Sequence, residues 1–218
     1  MRITLPSGTT ASLARPVTST GRGLVVLTDI HGLRPLFDDL VTDLAERTGW
    51  VTCAPEPFPG HEDWTFEQRI GGGVGQLDEV GVLADIVEAA DATGHDEVGV
   101  LGFCMGGMWA IKASATGRFR RSVSFYGMLR LPEAWRSPTL AEPLEALRAP
   151  ARCPVLELVG TADDFVSSAD ADEAVAAGAE VVRYPDAEHG FVHDPSRPTH
   201  RPDDAADAWR RALAFLSA

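Results

Sequence analysis

The chain has 218 residues, 44% hydrophobic and 23% charged, an ordinary globular balance with enough apolar material for a large core. Against 32 Asp and Glu stand 19 Lys and Arg, and the net charge of −13 repels phosphate backbones and anionic lipid, so neither nucleic acid nor a membrane surface is an expected partner. No apolar run reaches the ~18 residues of a membrane helix, Met1 opens no signal-peptide core, and three cysteines fit no disulfide framework, which together predict a cytoplasmic protein.

Short β-rich apolar runs alternate with longer amphipathic stretches. Leu24 to Thr28 is apolar until its end, the pattern of a strand buried on both faces. A helix is predicted from about Pro35 to Arg47, with Leu36, Leu40 and Leu44 on one stripe, proline in its first turn and Gly49 just beyond its end. Trp50 to Ala54 reads as the next strand. Pro55 to Gly75, rich in Pro, Gly and aromatic residues, reads as a long loop bordering a substrate site. Within it Phe58, Trp64 and Phe66 are candidates to line an apolar pocket. Gly71 to Gly75 reads as a flexible hinge, because it follows no strand and lacks the Lys-Ser/Thr ending of a phosphate-binding loop.

A helix over about Gln76 to Ala92 precedes a central strand at Val98 to Leu101, then a helix at Met105 to Ala115 and a strand at Ser122 to Phe125. Pro132 to Pro150 reads as a linker holding a short helix. The series closes with strand Val155 to Val159, helix Ser168 to Ala177, strand Val181 to Tyr184 and a terminal helix from Asp203 to Leu216. The alternation predicts one α/β domain over residues 1–218, with a mostly parallel sheet and helices on both faces.

The chemistry concentrates in Gly102-Phe103-Cys104-Met105-Gly106-Gly107. A buried strand ends, glycines stand two residues to either side of a cysteine, and a helix begins at once. This is the G-x-Nu-x-G nucleophile elbow with cysteine as nucleophile. Side chains at Gly102 or Gly106 would collide with neighbouring backbone in so tight a turn, and the helix N-terminus favours thiolate over thiol. Taken alone, the motif also fits a buried structural cysteine in a tight crossover.

Two further loops bear on that choice. Gly160-Thr161-Ala162-Asp163-Asp164 follows a strand, where an acid would orient a histidine, with Asp163 the first candidate and Asp164 the alternative. Pro185-Asp186-Ala187-Glu188-His189 follows the last strand. The order Cys104, Asp163, His189, each after a strand, is the α/β-hydrolase order of nucleophile, acid and base. A cysteine-elbow glutaminase would instead carry a His-x-Glu pair late in the chain, whereas Gly190 and Phe191 follow His189. A hydrolase-fold binding or regulatory protein with a vestigial site is the non-enzyme alternative.

His31, His61, His193 and His200 lack regular ligand spacing, so no metal is assigned, and no organic cofactor is implied. Cys53 and Cys153, in or next to strands, read as core thiols.

At these residues the sequence resembles the dienelactone hydrolase family. Its cysteine elbow matches Gly102 to Gly107, its acid turn Gly160 to Val166, and its histidine loop His189-Gly190-Phe191, and the resemblance runs from about Leu24 to the C-terminus. It implies an α/β-hydrolase that opens a small ester or lactone through a thioester on Cys104. The backbone N–H groups of Ile30 and Met105 would form the oxyanion hole. Family members carry a Glu that contacts the resting thiol, at the position of Asp29, and an Arg that binds a substrate carboxylate, at the position of His193. The resemblance therefore implies thiol control by Asp29 and a substrate-binding place for His193.

Overall fold

The computed structural model describes all 218 residues. Its eight strands are β1 (Arg2–Thr4), β2 (Thr10–Ala14), β3 (Gly23–Leu27), β4 (Val51–Pro55), β5 (Val98–Phe103), β6 (Arg121–Phe125), β7 (Val155–Gly160) and β8 (Glu180–Tyr184). They form one sheet in the order β1-β2-β4-β3-β5-β6-β7-β8. Pairing is parallel from β4 to β8 and antiparallel for β1 with β2 and β2 with β4. The six parallel strands are those predicted. The two N-terminal strands were not, because β1 has only three residues and β2 mixes polar and small residues, and they extend the sheet at one edge.

The helices are α1 (Pro35–Thr48), α2 (Phe66–Gln68), α3 (Glu79–Ala92), α4 (Met105–Ala113), α5 (Pro143–Arg148), α6 (Ser168–Ala176) and α7 (Pro202–Ser217). Pro35 opens α1, and Gly49 closes it at φ 73° with its N–H on the Ala45 carbonyl. α3 starts three residues later than predicted. Leu77 is extended, and the Asp78 carboxylate caps the helix by accepting from the Val80 and Gly81 N–H groups.

Successive residues of the central strands feed different cores. Val25, Leu27, Val98 and Val100 pack with residues of α3 and α4, whereas Leu24, Val26, Leu101 and Phe103 pack with α1 and α7. Both faces are covered, which is why these strands read as continuous apolar runs.

Residues 66–76 are not a loop. Thr65 and Gln68 form a capping box, and α2 runs on into a wide π-type turn at Arg69–Gly73, kinked at Gly72, and a tight 3-10 turn at Val74–Gln76. Two of the four glycines there serve close packing: a Cβ on Gly73 would lie 2.7 Å from the Trp64 ring, and one on Gly75 would lie 3.0 Å from the Trp135 carbonyl. Gly73 and Gly75 let two tryptophan-bearing segments pack directly on backbone. The 132–150 segment contains the short helix α5, as predicted, and carries Trp135 against this turn.

Candidate active site

Cys104 sits where β5 gives way to α4, at φ 57° and ψ −119°, a strained conformation for an L-residue. The flanking glycines make the turn possible. A Cβ on Gly102 would stand 2.1 Å from the Gly106 carbonyl oxygen, and one on Gly106 would stand 2.3 Å from the carbonyl oxygens of Leu27 and Thr28. The turn places the half-buried Cys104 side chain in the wall of a cavity of about 270 Å3.

The loops bearing Asp163 and His189 are bound to each other. The Ala162 N–H donates to the Ala187 carbonyl at 3.0 Å and the Asp186 N–H to Thr161 Oγ1 at 2.8 Å. Gly160 leaves room for this approach, since a Cβ there would lie 2.0 Å from the Ala187 oxygen. His189 Nδ1 meets Asp163 Oδ2 at 2.8 Å, and Asp163 Oδ1 accepts from the Phe165 N–H at 2.8 Å. Asp163 is buried, whereas Asp164 is exposed and makes no such contact.

His189 Nε2 is buried without a hydrogen-bond partner, and the ring shares the cavity wall with Cys104. Burial opposes charge on this imidazole. The Asp163 hydrogen bond and the adjacent Cys104 side chain outweigh that penalty and raise its pKa from 6.5 to about 10. Cys53 and Cys153 stand apart from the cavity, and burial pushes their thiols up to about 12 and about 11.

Ile30 lines the same cavity, and its N–H has no acceptor within the chain. Met105 is the first residue of α4, so its N–H is among the helix-terminal donors that lack an intrahelical acceptor. Arg69 fixes the Ile30 loop by donating to the Ile30 carbonyl at 3.2 Å and the Glu62 carbonyl at 2.7 Å, with its guanidinium over the Phe58 ring.

Asp29 and His193 are placed otherwise than expected. The Asp29 carboxylate makes no contact with the thiol. Its oxygens accept from the His31 N–H, from Arg34 at 2.6 and 2.9 Å, from His193 Nε2 at 2.9 Å and from Arg197 at 3.4 Å. Burial works against the charge, but His193 and Arg34 hold this carboxyl well below the usual range. His193 does not reach the cavity. Its side chain is 1% exposed, and its Nδ1 lies 2.5 Å from the Tyr126 hydroxyl. Burial lowers its pKa, consistent with a neutral ring that donates to Asp29 and accepts from Tyr126. The arginine that does reach the cavity is Arg197, four residues further on.

Of the aromatic residues singled out near Trp64, only Phe66 lines the cavity; Phe58 and Trp64 pack against each other at 6.1 Å between ring centroids. Phe165, Met128, Ile70 and Trp135 complete the apolar wall. Sequence periodicity gave no sign of them, since each comes from an irregular segment or its end.

A mostly parallel sheet with a cysteine in a strained turn between β5 and α4, and an aspartate and a histidine joined on the loops after β7 and β8, has the architecture of the α/β-hydrolase fold. The family model of the dienelactone hydrolase family matches residues 9–218, and the chain belongs to that family of lactone and ester hydrolases. It is 34% identical to a Bradyrhizobium protein named probable 2-oxo-3-(5-oxofuran-2-ylidene)propanoate lactonase, over 94% of this chain and 88% of the relative. It is 31% identical to the carboxymethylenebutenolidase of Rhodococcus opacus, over 91% and 82% of the two chains. A crystal structure from Klebsiella pneumoniae subsp. pneumoniae, provisionally named a dienelactone hydrolase, superposes with a TM-score of 0.88 at 25% identity, covering 100% of this chain and 97% of the other.

Proposed function

We propose that the chain hydrolyses a small ester or lactone by covalent catalysis from Cys104, with His189 as base and acid and Asp163 as its orienting carboxylate. The observation that carries this reading is the 2.8 Å His189–Asp163 bond beside a cysteine held in a strained elbow on the same cavity. Relatives named as a lactonase and a carboxymethylenebutenolidase favour a lactone among the substrates.

The Cys104 thiolate forms a C–S bond to the carbonyl carbon, and the π pair moves onto oxygen. The Ile30 and Met105 N–H groups hold that oxyanion. As the tetrahedral species collapses, the C–O bond to the leaving group breaks and the leaving alkoxide takes the His189 proton. In a lactone the alkoxide remains tethered to the acyl group, so His189 protonates it in place. His189, now neutral, removes a proton from water. The hydroxide adds to the thioester, and the C–S bond breaks to return the thiolate–imidazolium pair and free acid. Asp163 fixes the tautomer and steadies the imidazolium throughout. No metal or cofactor enters this scheme. Three unpaired cysteines suit a reducing, cytoplasmic setting.

The test is turnover of an ester and lactone panel by wild type and Cys104→Ala. The proposal requires hydrolysis that vanishes with the thiol. Turnover surviving in Cys104→Ala, or no turnover by a folded wild type whose Cys104 is blocked to electrophiles, contradicts it.

A further inference from the structure

We propose that Arg69 and Glu56 are positioning residues of the oxyanion hole: they lock the turn over residues 29–33 so that the Ile30 N–H stays free to receive the oxyanion. The inference rests on the hydrolase reading above and deepens it, by assigning what holds one of the two donors.

The first observation is where the backbone donors of this turn go. The His31 N–H donates to Asp29 Oδ1 at 3.0 Å, the Gly32 N–H to the Asp29 carbonyl at 3.0 Å, and the Leu33 N–H to Glu56 Oε2 at 3.0 Å. Of the four consecutive donors only that of Ile30 has no acceptor, and Ile30 is a buried residue in the cavity wall beside Cys104. Folded chains rarely leave such a group unpaired, so a single free donor at a cavity marks a place kept for a ligand oxygen. Its direction is set from behind. The Asp29 carbonyl also accepts from the Thr28 hydroxyl at 3.2 Å, and in a trans peptide the N–H points opposite to the carbonyl.

The second observation is what stands behind the turn. Gly32 has φ 76°, and a Cβ there would lie 2.8 Å from Arg69 Nη1 and 3.0 Å from Glu56 Oε1, so both side chains close on bare backbone. Arg69 bridges the Ile30 and Glu62 carbonyls with its two terminal nitrogens. Glu56 bridges in the opposite sense, accepting from the Leu33 N–H with one oxygen and from the Phe58 N–H at 3.1 Å with the other. Both side chains are buried. The bonds of the guanidinium go to carbonyls, its Nε has no partner, and burial pushes the Glu56 carboxyl up towards its neutral form. The positive charge behind Ile30 is thus incompletely neutralised, and it favours negative charge developing on an oxygen held by the Ile30 N–H.

The test follows two reactions of Cys104 in wild type, Arg69→Met, Arg69→Lys and Glu56→Gln. Hydrolysis of phenyl acetate passes through an oxyanion in both acylation and deacylation. Alkylation by iodoacetamide, read on the Cys104 peptide by mass spectrometry, is a displacement at a saturated carbon and forms none. In Arg69→Met the expected kcat falls about a hundredfold with KM within about twofold of wild type, while alkylation of Cys104 stays within about threefold. Arg69→Lys keeps the charge without the fork and should recover part of the loss. Glu56→Gln keeps one acceptor of two, and its kcat should fall about tenfold with alkylation again unchanged. Wild-type kcat in Arg69→Met, a rise in KM alone, or alkylation that slows in step with hydrolysis overturns the proposal, and each leaves the hydrolase reading intact while wild type turns over the ester and Cys104→Ala does not. If Arg69→Met lacks the wild-type far-UV circular dichroism, the same comparisons in Arg69→Lys and Glu56→Gln decide. Absence of Cys104-dependent turnover in a folded wild type removes the hydrolase reading and this inference with it.

Discussion

Strain and charge meet at Cys104 and His189. The cysteine holds a backbone conformation that L-residues rarely adopt, and the imidazole beside it carries a pKa raised to about 10. Because the folded value lies above the ordinary 6.5, protonation of His189 stabilises the fold fully below pH 6.5, and this contribution disappears as pH rises towards 10. In Asp163→Asn the chief support of that proton is gone. We expect the His189 titration, followed by NMR of the imidazole, to move down towards 6.5, and kcat to fall by about 10^3 to 10^4. An unchanged His189 titration would contradict the assigned role of Asp163. That Cys104, Asp163 and His189 lie together was legible because each follows a strand of a parallel sheet, in a fixed order, and Cys104 stands between the glycines of an elbow motif. Arg197 and Phe165 were not, because a side chain's reach from a loop leaves no periodic trace. The roles expected of Asp29 and His193 came from position within a family. Both are buried and bonded to each other, and neither lines the cavity beside Cys104.

Elements show a similar division. The fully buried parallel strands read clearly from composition, and Pro35 and Gly49 marked the ends of α1. Strands β1 and β2 at one side of the sheet escaped notice because β1 has only three residues and β2 mixes Thr and Ser with alanine, which leaves little hydrophobic signal. The loop reading of the segment containing Gly71 to Gly75 misled for a physical reason: glycine serves close packing as readily as flexibility, and Gly73 and Gly75 admit Trp64 and Trp135. The elbow is the element with least tolerance. A methyl group at Gly106 must displace backbone carbonyls of Leu27 and Thr28 from 2.3 Å, which moves β3 or α4. Gly106→Ala should therefore destabilise by about 3 kcal/mol or more in urea unfolding, with loss of turnover. A variant of wild-type stability would mean that the elbow is looser than its geometry implies.

Across the whole molecule, a buried polar chain connects three loops at the C-terminal ends of the strands. Tyr126 after β6 meets His193 of the histidine loop, which meets Asp29 after β3, which holds Arg34 at the start of α1. The Asp29 carboxyl is depressed in the fold, so its contribution is present above the ordinary value of 3.8 and is lost as pH falls below it. Asp29→Asn leaves arginines and a histidine without their anion. It should cost about 3 kcal/mol near pH 7, and the gap to wild type should narrow near pH 3. Urea unfolding at the two pH values checks this, and a gap independent of pH would show that the charge of Asp29 is not what the network uses. The architecture was largely legible, because a sheet buried on both faces declares itself in sequence. This network was not, since its members lie up to 164 residues apart.

The central claim is a thioester on Cys104, and mass spectrometry of the protein mixed rapidly with a reactive ester and quenched in acid tests it most directly. The account predicts one acyl group per chain, located on the peptide containing Cys104, released by hydroxylamine and absent from Cys104→Ala. Turnover without any such adduct in the wild type, or an adduct on another residue that persists in Cys104→Ala, would contradict it.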